Sequence, residues 1–237
     1  FAMRMFQLDP RLRLCADFVR QGVKLADIGT DHAYLPVWLV SQGICPGAVA
    51  VDVREGPLER ARENVNRYGM TGKIRLSLSS GLTDVKSEEA DDIVIAGMGG
   101  ELIAEIISKA PWVCNQEKHL ILQPMTTANE LRVWLRENGF ALLREECVRS
   151  EGKVYSVMLA AYAPEKAEKF QNQELYPYIG LLTGKSEAEQ EYIQKVMLRL
   201  SKKMLGCEHR RDEAGLEKIR GLLSHMREVT GVEMEES

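Results

Sequence analysis

The sequence is poor in the features that mark several large classes of protein. No run of 18 apolar residues occurs, so no membrane span is expected. No secretory leader precedes the first helix, and Phe1 and Ala2 ahead of Met3 read as a cloning remnant. The five cysteines, Cys15, Cys45, Cys114, Cys147 and Cys207, are odd in number, widely spaced and without a C-x-x-C pair. Neither a disulfide framework nor a zinc site is indicated, no metal is expected, and reduced thiols in a cytoplasm fit best. Neither sign of charge dominates, with 31 Lys and Arg against 35 Asp and Glu. That balance argues against a surface coated for nucleic acid and leaves room for a local basic patch. No domain-sized repeat or low-complexity tract is present. What remains is a chain of 237 residues, 45% apolar, long enough for one α/β domain and a small appendage.

The most informative stretch is Asp27-Ile28-Gly29-Thr30-Asp31-His32-Ala33-Tyr34-Leu35-Pro36. An apolar run, Val23 to Ile28, stops at a glycine and three polar residues, and Tyr34 to Val40 starts a helix. A strand, a tight turn and a helix offer a ligand the strand's carboxyl end and the helix's amino end. A second strand, Ala48 to Val51, ends in Asp52, 25 residues after Asp27. An acid there is placed to grip a ribose diol. A dinucleotide site would need G-x-G-x-x-G so that the backbone can close on a pyrophosphate. Here only Gly29 is present, and Asp31 would set a negative charge against that phosphate. S-adenosylmethionine has no phosphate, and its sulfonium and ammonium suit nearby carboxylates. It is the expected cofactor.

Further along, Asp9-Pro10 is a helix start, with Leu8, Leu12, Cys15 and Val19 on one face and Arg11, Arg13, Asp17 and Arg20 on the other. A charged helix, Pro57 to Tyr68, is ended by Gly69. Ile74 to Leu78 alternates as a strand, and Ile93 to Ala96 reads as a buried parallel strand running into Gly97-Met98-Gly99-Gly100. Leu102 to Lys109 is a helix, Leu120 to Leu122 a strand capped by Gln123-Pro124, and Thr127 to Asn138 a helix stopped by Gly139. Two strands, Phe140 to Val148 and Val154 to Ala161, close the series. The layout is a Rossmann-like, class I methyltransferase sheet of seven strands with one reversed. Lys166 to Gly184 is polar. Ser186 and Glu189 then form a capping box. Apolar stripes Ile193, Met197, Leu200, Met204 and Leu216, Ile219, Leu223, Met226 flank a break at Gly206-Cys207 and read as a helical, coiled-coil hairpin. The expected division is 1–163 for the cofactor-binding part and 164–237 for the hairpin. A monomer is expected, with dimerisation through the hairpin as the alternative. Lys195, Arg199, Lys202, Lys203, Arg210 and Arg211 cluster about the turn. They read equally as a solvated coiled-coil surface or as an RNA contact.

The strand-end loops supply the candidate site. Gly29 lets a ligand approach the backbone, Asp27 or Asp31 holds an ammonium, and Asp52 with Val53 meets the ribose. Ser80 and Gly81 face the adenine ring. Ala96, Gly97, Met98 and Gly99 lie beside the methyl group. Asp31, His32 and Met98 are the candidates nearest the chemistry. For His32 the plainer alternative is a structural donor, since no Ser-His-Asp or metal triad accompanies it.

Three motifs in order, Asp27 to Pro36, Ile95-Ala96-Gly97-Met98-Gly99-Gly100, and Leu120-Ile121-Leu122-Gln123-Pro124, resemble those of the bacterial tRNA adenine-N1 methyltransferases that act at position 22, in the D arm. The similarity runs from about Leu8 to Tyr162, and the hairpin looks like that family's coiled-coil domain. The resemblance implies a cytoplasmic enzyme with tRNA as partner. It implies a tRNA contact at Arg11, where the family carries a basic residue; Arg13, Gln123, Lys202, Lys203, Arg210 and Arg211 are the further candidates for nucleic-acid contact. Two positions depart from the family pattern. Ser80 stands in place of a third-strand acid, and Met125 in place of an Asn after Gln123-Pro124. The loop Asn-Pro-Pro-aromatic, used for exocyclic amines, is absent. Rival readings from the residues alone are a methyltransferase on a small molecule or protein, a nicotinamide dehydrogenase, and a non-catalytic module that binds S-adenosylmethionine.

Overall fold

A computed structural model describes residues 6–234, so the expected cloning remnant at Phe1-Ala2 lies outside the described residues. The helix α1 (Pro10–Phe18) is capped by Asp9, whose carboxylate accepts the Arg11 and Leu12 N–H groups, with proline in the first turn. Alternation of strand and helix then gives β1 (Leu25–Ile28), α2 (Tyr34–Ser41), β2 (Ala48–Asp52), α3 (Glu55–Arg67), β3 (Ile74–Leu78), β4 (Asp92–Gly99), α4 (Gly100–Ser108), β5 (His119–Thr126) and α5 (Ala128–Glu137). The hairpin β6 (Phe140–Ser150) and β7 (Lys153–Tyr162) follows.

These strands form one seven-stranded sheet in the order β3-β2-β1-β4-β5-β7-β6. β3 to β5 run parallel, and β7 is antiparallel to both its neighbours. This is the expected Rossmann-like methyltransferase sheet with one reversed strand. The period of two divides the core. Ala26, Ile28, Val49, Val51, Ile93, Ile95, Leu120 and Leu122 face α4 and α5. Leu25, Ala48, Ala50, Val94 and Ile121 face α1, α2 and α3. Burying such Ile, Leu and Val side chains contributes about 1.5–3 kcal/mol each. The order of strands reverses between β1 and β4, and the crevice at their carboxyl ends is where this topology seats a ligand.

Two strands run further than their apolar runs suggest. β4 continues through Gly97-Met98-Gly99 because β5 also continues, through Pro124 to Thr126, and the two pair to their ends with bulges around Met98. The segment Gly97 to Gly99 is therefore strand, not free loop. Beyond the sheet lie α6 (Pro164–Glu168), α7 (Tyr176–Ile179), α8 (Glu187–Arg210) and α9 (Glu213–Thr230). The stretch 166–184, polar by composition, nonetheless buries Leu175, Tyr176, Ile179 and Leu182. The hairpin break also moves. α8 runs straight through Gly206-Cys207 and ends at Arg211, which takes a left-handed φ of 56°. One glycine costs a long helix only about 1 kcal/mol, and Cys207 is buried in the seam with its carbonyl accepting the Asp212 N–H at 2.9 Å. Ser186 caps α8 as expected, its hydroxyl accepting the Glu189 N–H, but the buried Glu189 carboxylate does not return the bond to Ser186 that a capping box needs. It accepts the N–H groups of Thr183, Gly184 and Lys185.

A buried ion pair joins the sheet to the helices that follow it. Arg132 of α5 and Glu145 of β6 have no exposed side-chain surface and meet at 2.7 Å. Arg132 also donates to Tyr192 Oη on α8 and to the carbonyls of Pro177 and Tyr178. Glu145 accepts from Ser156 Oγ and from the Leu181 N–H. At Gly180, φ is +54°, and a Cβ would collide with the Glu145 carboxylate. The fold needs glycine there for both reasons. Among the described residues no helix is long and apolar enough to cross a membrane.

Candidate active site

The β1–α2 turn is the tightest part of the rim. Gly29 and Thr30 both donate to the Val51 carbonyl, at 2.8 and 2.9 Å, which folds the turn over the end of β2. Gly29 (φ 71°), Asp31 (φ 54°) and Ala33 (φ 56°) all take left-handed conformations. Two of the three carry a Cβ there, a strain that collects at functional turns. Asp27 is 5% exposed at the foot of the turn and accepts the Thr30 hydroxyl at 2.6 Å. Burial pushes its carboxyl up to about 6, against the opposing pull of the Thr30 hydrogen bond and the Arg11 guanidinium.

Asp52 is buried at the end of β2. Oδ1 accepts the Arg54 N–H at 2.9 Å and Oδ2 the Asp31 N–H at 3.3 Å. Beside it Val53 is 63% exposed, and Leu78, paired with Asp52 in register, is 50% exposed. Sequence reasoning named Val53 and missed Leu78, because an apolar residue closing a strand looks like core. Ser80 is exposed, and its carbonyl accepts the Thr83 hydroxyl. Gly81 is buried with φ 57°, and a Cβ would press on Ile106 of α4, so packing requires glycine here.

From the other side comes the end of β4. Ala96 and Met98 are half-buried and Gly97 is exposed with φ 77°. The Met98 methyl group lies over Gly29, where any Cβ would collide with it. Asp27, Gly29, Asp31, Asp52, Val53 and Met98 are thus gathered on one rim. At Gly99 a Cβ would come within 3.1 Å of Thr126 Oγ1 of β5.

Three other expectations are altered. His32 turns away toward α3: its carbonyl accepts the Asn64 amide at 2.9 Å, and Nε2 lies 3.3 Å from Arg60 and 3.6 Å from Asp31. That is the setting of a structural histidine bracing the turn. Gln123 was expected to meet nucleic acid, yet it is completely buried. Its carboxamide oxygen accepts from Arg11 at 2.8 Å and from the Gly97 N–H at 3.0 Å, and its nitrogen donates to the Pro124 carbonyl. It holds Arg11 beside Gly97, a contact across 112 residues that no local pattern signals. Arg13 does not join Arg11, because residues two apart point to different sides of a helix. It pairs with Asp17 at 3.0 Å and lies over Trp38. Lys202, Lys203, Arg210 and Arg211 are all exposed but spread along the end of α8, about 14 Å from first to last at about 1.5 Å per residue. Among the described residues no group of three or more His, Cys, Asp and Glu is arranged to hold a metal ion.

The rim carries three carboxylates around a single glycine turn, with the Arg11 guanidinium beside Gly97 and the Arg54 guanidinium 3.6 Å from Asp52, and it lacks the successive glycines a pyrophosphate needs. That donor set suits a cationic nucleoside. Comparison with known proteins agrees. A family model described as a methyltransferase domain matches residues 8–158. The tRNA (adenine(22)-N(1))-methyltransferase of Bacillus subtilis is 38% identical over 158 residues, 67% of this chain and 66% of that enzyme. The alignment therefore spans just under two thirds of this curated relative's length. The crystal structure of the B. subtilis tRNA methyltransferase TrmK superposes with a TM-score of 0.82 at 28% identity, covering 94% of this chain and 99% of that one. A Streptococcus pneumoniae protein solved in complex with S-adenosyl-L-methionine gives 0.77 at 33% identity, covering 90% and 98%.

Proposed function

This chain belongs to the family of the bacterial tRNA (adenine(22)-N(1))-methyltransferases, and we infer that it transfers a methyl group from S-adenosylmethionine to N1 of adenine 22 in the D arm of tRNA. The observation that carries this reading is the trio Asp27, Asp31 and Asp52 around Gly29 at the β1–β4 switch point. When bound, S-adenosylmethionine supplies an electrophilic methyl group on a sulfonium. Asp52 is assigned to the ribose diol. Each of its oxygens already accepts one backbone N–H, which fixes its plane and leaves lone pairs for a ligand. Val53 and Leu78 offer apolar surface to a planar base, and Ser80 a hydrogen bond at its edge. Asp27 and Asp31 balance the positive end, while Gly29, Ala96, Gly97 and Gly99 present backbone without bulk. Met98 closes over Gly29 and sets the depth of the pocket, and His32 positions the turn.

Adenine N1 carries a free lone pair, so the protein has no proton to remove before transfer. Its task is alignment, which can supply up to ~7–11 kcal/mol of the barrier. The exposed Asp31 carboxylate stabilises the positive charge that develops on the methylated base. Arg11, held at Gly97 by Gln123, borders the place where that base must arrive. Because N1 lies on the pairing edge, the base has to leave its stack. Residues 1–163 are assigned the chemistry and 164–237 a grip on RNA, in the cytoplasm where tRNA and reduced thiols are found.

The test is to incubate the protein with labelled methyl donor and unmodified tRNA, then digest to nucleosides. Label in 1-methyladenosine, lost when adenine 22 is replaced by guanine, is the expected result. Label in another nucleoside, or none, contradicts the reading. Asp31→Ala should abolish methylation and leave the melting temperature unchanged; full activity in that variant removes Asp31 from the mechanism.

A further inference from the structure

The turn from β5 into α5 has features that packing does not explain. Thr127 is β-branched yet sits at φ 52°, an outlier for such a residue. Its backbone is clamped there. The carbonyl accepts the Leu131 N–H at 3.1 Å, and Gly100 lies so close beneath it that a Cβ would collide. Its hydroxyl does not cap α5, although the residue occupies the capping position. Thr127 Oγ1 is buried and has no hydrogen-bond partner among the described residues. A buried polar atom without a partner calls for one.

Two adjoining cavities, of about 310 and 260 Å³, flank Thr127 and separate it from α8. Arg199 and Tyr192 line both, with Lys195 at one end and Lys203 at the other. The three cations are spaced by four residues, so they share one face of α8, the face turned to the sheet. Lys195 is paired with Glu191 at 2.7 Å. Arg199 and Lys203 are exposed and make no ion pair among the described residues. One acid, Glu130, stands on the lining. Exposed Met125 and Leu198 add apolar surface beside the charges. The groove leads directly to the rim, because Thr126 pairs with Gly99 at the end of β4.

We propose that the groove between α8 and the β5–α5 turn seats the phosphodiester backbone of the RNA strand bearing the target adenine, with Arg199 and Lys203 neutralising phosphates and the Thr127 hydroxyl, turned into the groove by rotation about its Cα–Cβ bond, donating to one of them. The proposal rests on the tRNA-methyltransferase reading and specifies where its substrate enters. Of the residues expected on α8 to meet RNA it keeps Lys203, adds Arg199, and leaves Arg210 and Arg211 outside the groove. Two free cations beside an orphaned hydroxyl fit phosphate oxygens, which accept both kinds of bond.

The full chain is titrated with fluorescently labelled unmodified tRNA over a series of salt concentrations. The double variant Arg199→Ala/Lys203→Ala is compared with Lys218→Ala/Arg220→Ala, which removes the same charge from exposed positions on α9. The groove variant should lose at least 30-fold in tRNA affinity, and its salt slope should fall by about 1.4–1.8, the value for two phosphates. The α9 variant should lose less than 3-fold, and S-adenosylmethionine affinity by calorimetry should stay unchanged in both. Thr127→Val, which keeps the shape and removes the hydroxyl, should cost 3- to 10-fold with the slope unaltered. Equal losses in the two double variants, or an unchanged slope in the groove variant, overturn the proposal. So does a wild-type chain that binds no tRNA. A wild-type chain that binds tRNA through the groove but leaves adenine 22 unmethylated overturns the functional reading and not the groove.

Discussion

Buried charge is handled in opposite ways at two sites in this molecule. At the seam between β6 and α8, Arg132 and Glu145 neutralise each other and fill their remaining positions with Ser156, Tyr192, Leu181 and two carbonyls. At the rim, Asp27 is as deeply buried, but its one direct partner among the described residues is a hydroxyl, and its carboxyl is pushed up to about 6. The seam is electrically complete without a ligand. The rim is not, and what would complete it is a cation. A buried charge fully satisfied by its own chain fixes geometry, whereas one left short of partners marks where something binds.

The largest effect should come from breaking the complete site. Glu145→Ala leaves the Arg132 guanidinium buried and unpaired, and it should cost about 3–5 kcal/mol of stability. Denaturant unfolding measures this. S-adenosylmethionine affinity of the folded variant at low temperature should stay within 2-fold, since the rim is untouched.

Relieving the incomplete site should do the reverse. The Asp27 carboxyl binds a proton more tightly in the folded chain than at its ordinary value of 3.8. The native state therefore holds more protons than the unfolded one between about pH 4 and pH 6. Stability falls as pH rises through that window, and the penalty is complete above it. Asp27→Asn carries no such penalty. It should be more stable than the wild type at pH 7.5, by up to about 3 kcal/mol for a shift of about two pH units, and show no gain at pH 4. Thermal melts at the two pH values check this. An equal gain at both would mean that the charge at Asp27 is not what destabilises the turn.

A small effect belongs to the hairpin. At Gly206 a Cβ would meet nothing nearer than Arg210 Nη1 at 3.7 Å, an ordinary contact. Gly206→Ala should stabilise α8 by about 0.5–1 kcal/mol. A loss instead would show that the helix does break there in solution.

What was legible from residue order follows the same division. Asp27, Asp31, Asp52 and Gly29 could be read as a site because strand ends and a turn bring them together locally. Gln123 could not, since its function comes from Arg11 and Gly97, which are distant in the chain. The packing demand at Gly81 could not be read either, because Ile106 reaches it from α4. Tyr176 and Ile179 lie in a stretch that is polar by composition, and their burial could not be read because their partners arrive from elements far along the chain. The reversed strand was visible from the terminal hairpin Phe140 to Ala161. The bulged extension of β4 was not, because it depends on β5 running alongside.

The central claim is that the rim is an acid-lined seat for a cationic nucleoside, with Asp27 supplying part of the charge. Calorimetric titration with S-adenosylmethionine at pH 7.5 and pH 5.0 tests it most directly. Protonation of Asp27 below about 6 should weaken wild-type binding about 10-fold at the lower pH, while Asp27→Asn binds weakly and equally at both. Wild-type affinity that is the same at the two pH values, and unchanged by the substitution, would contradict the account.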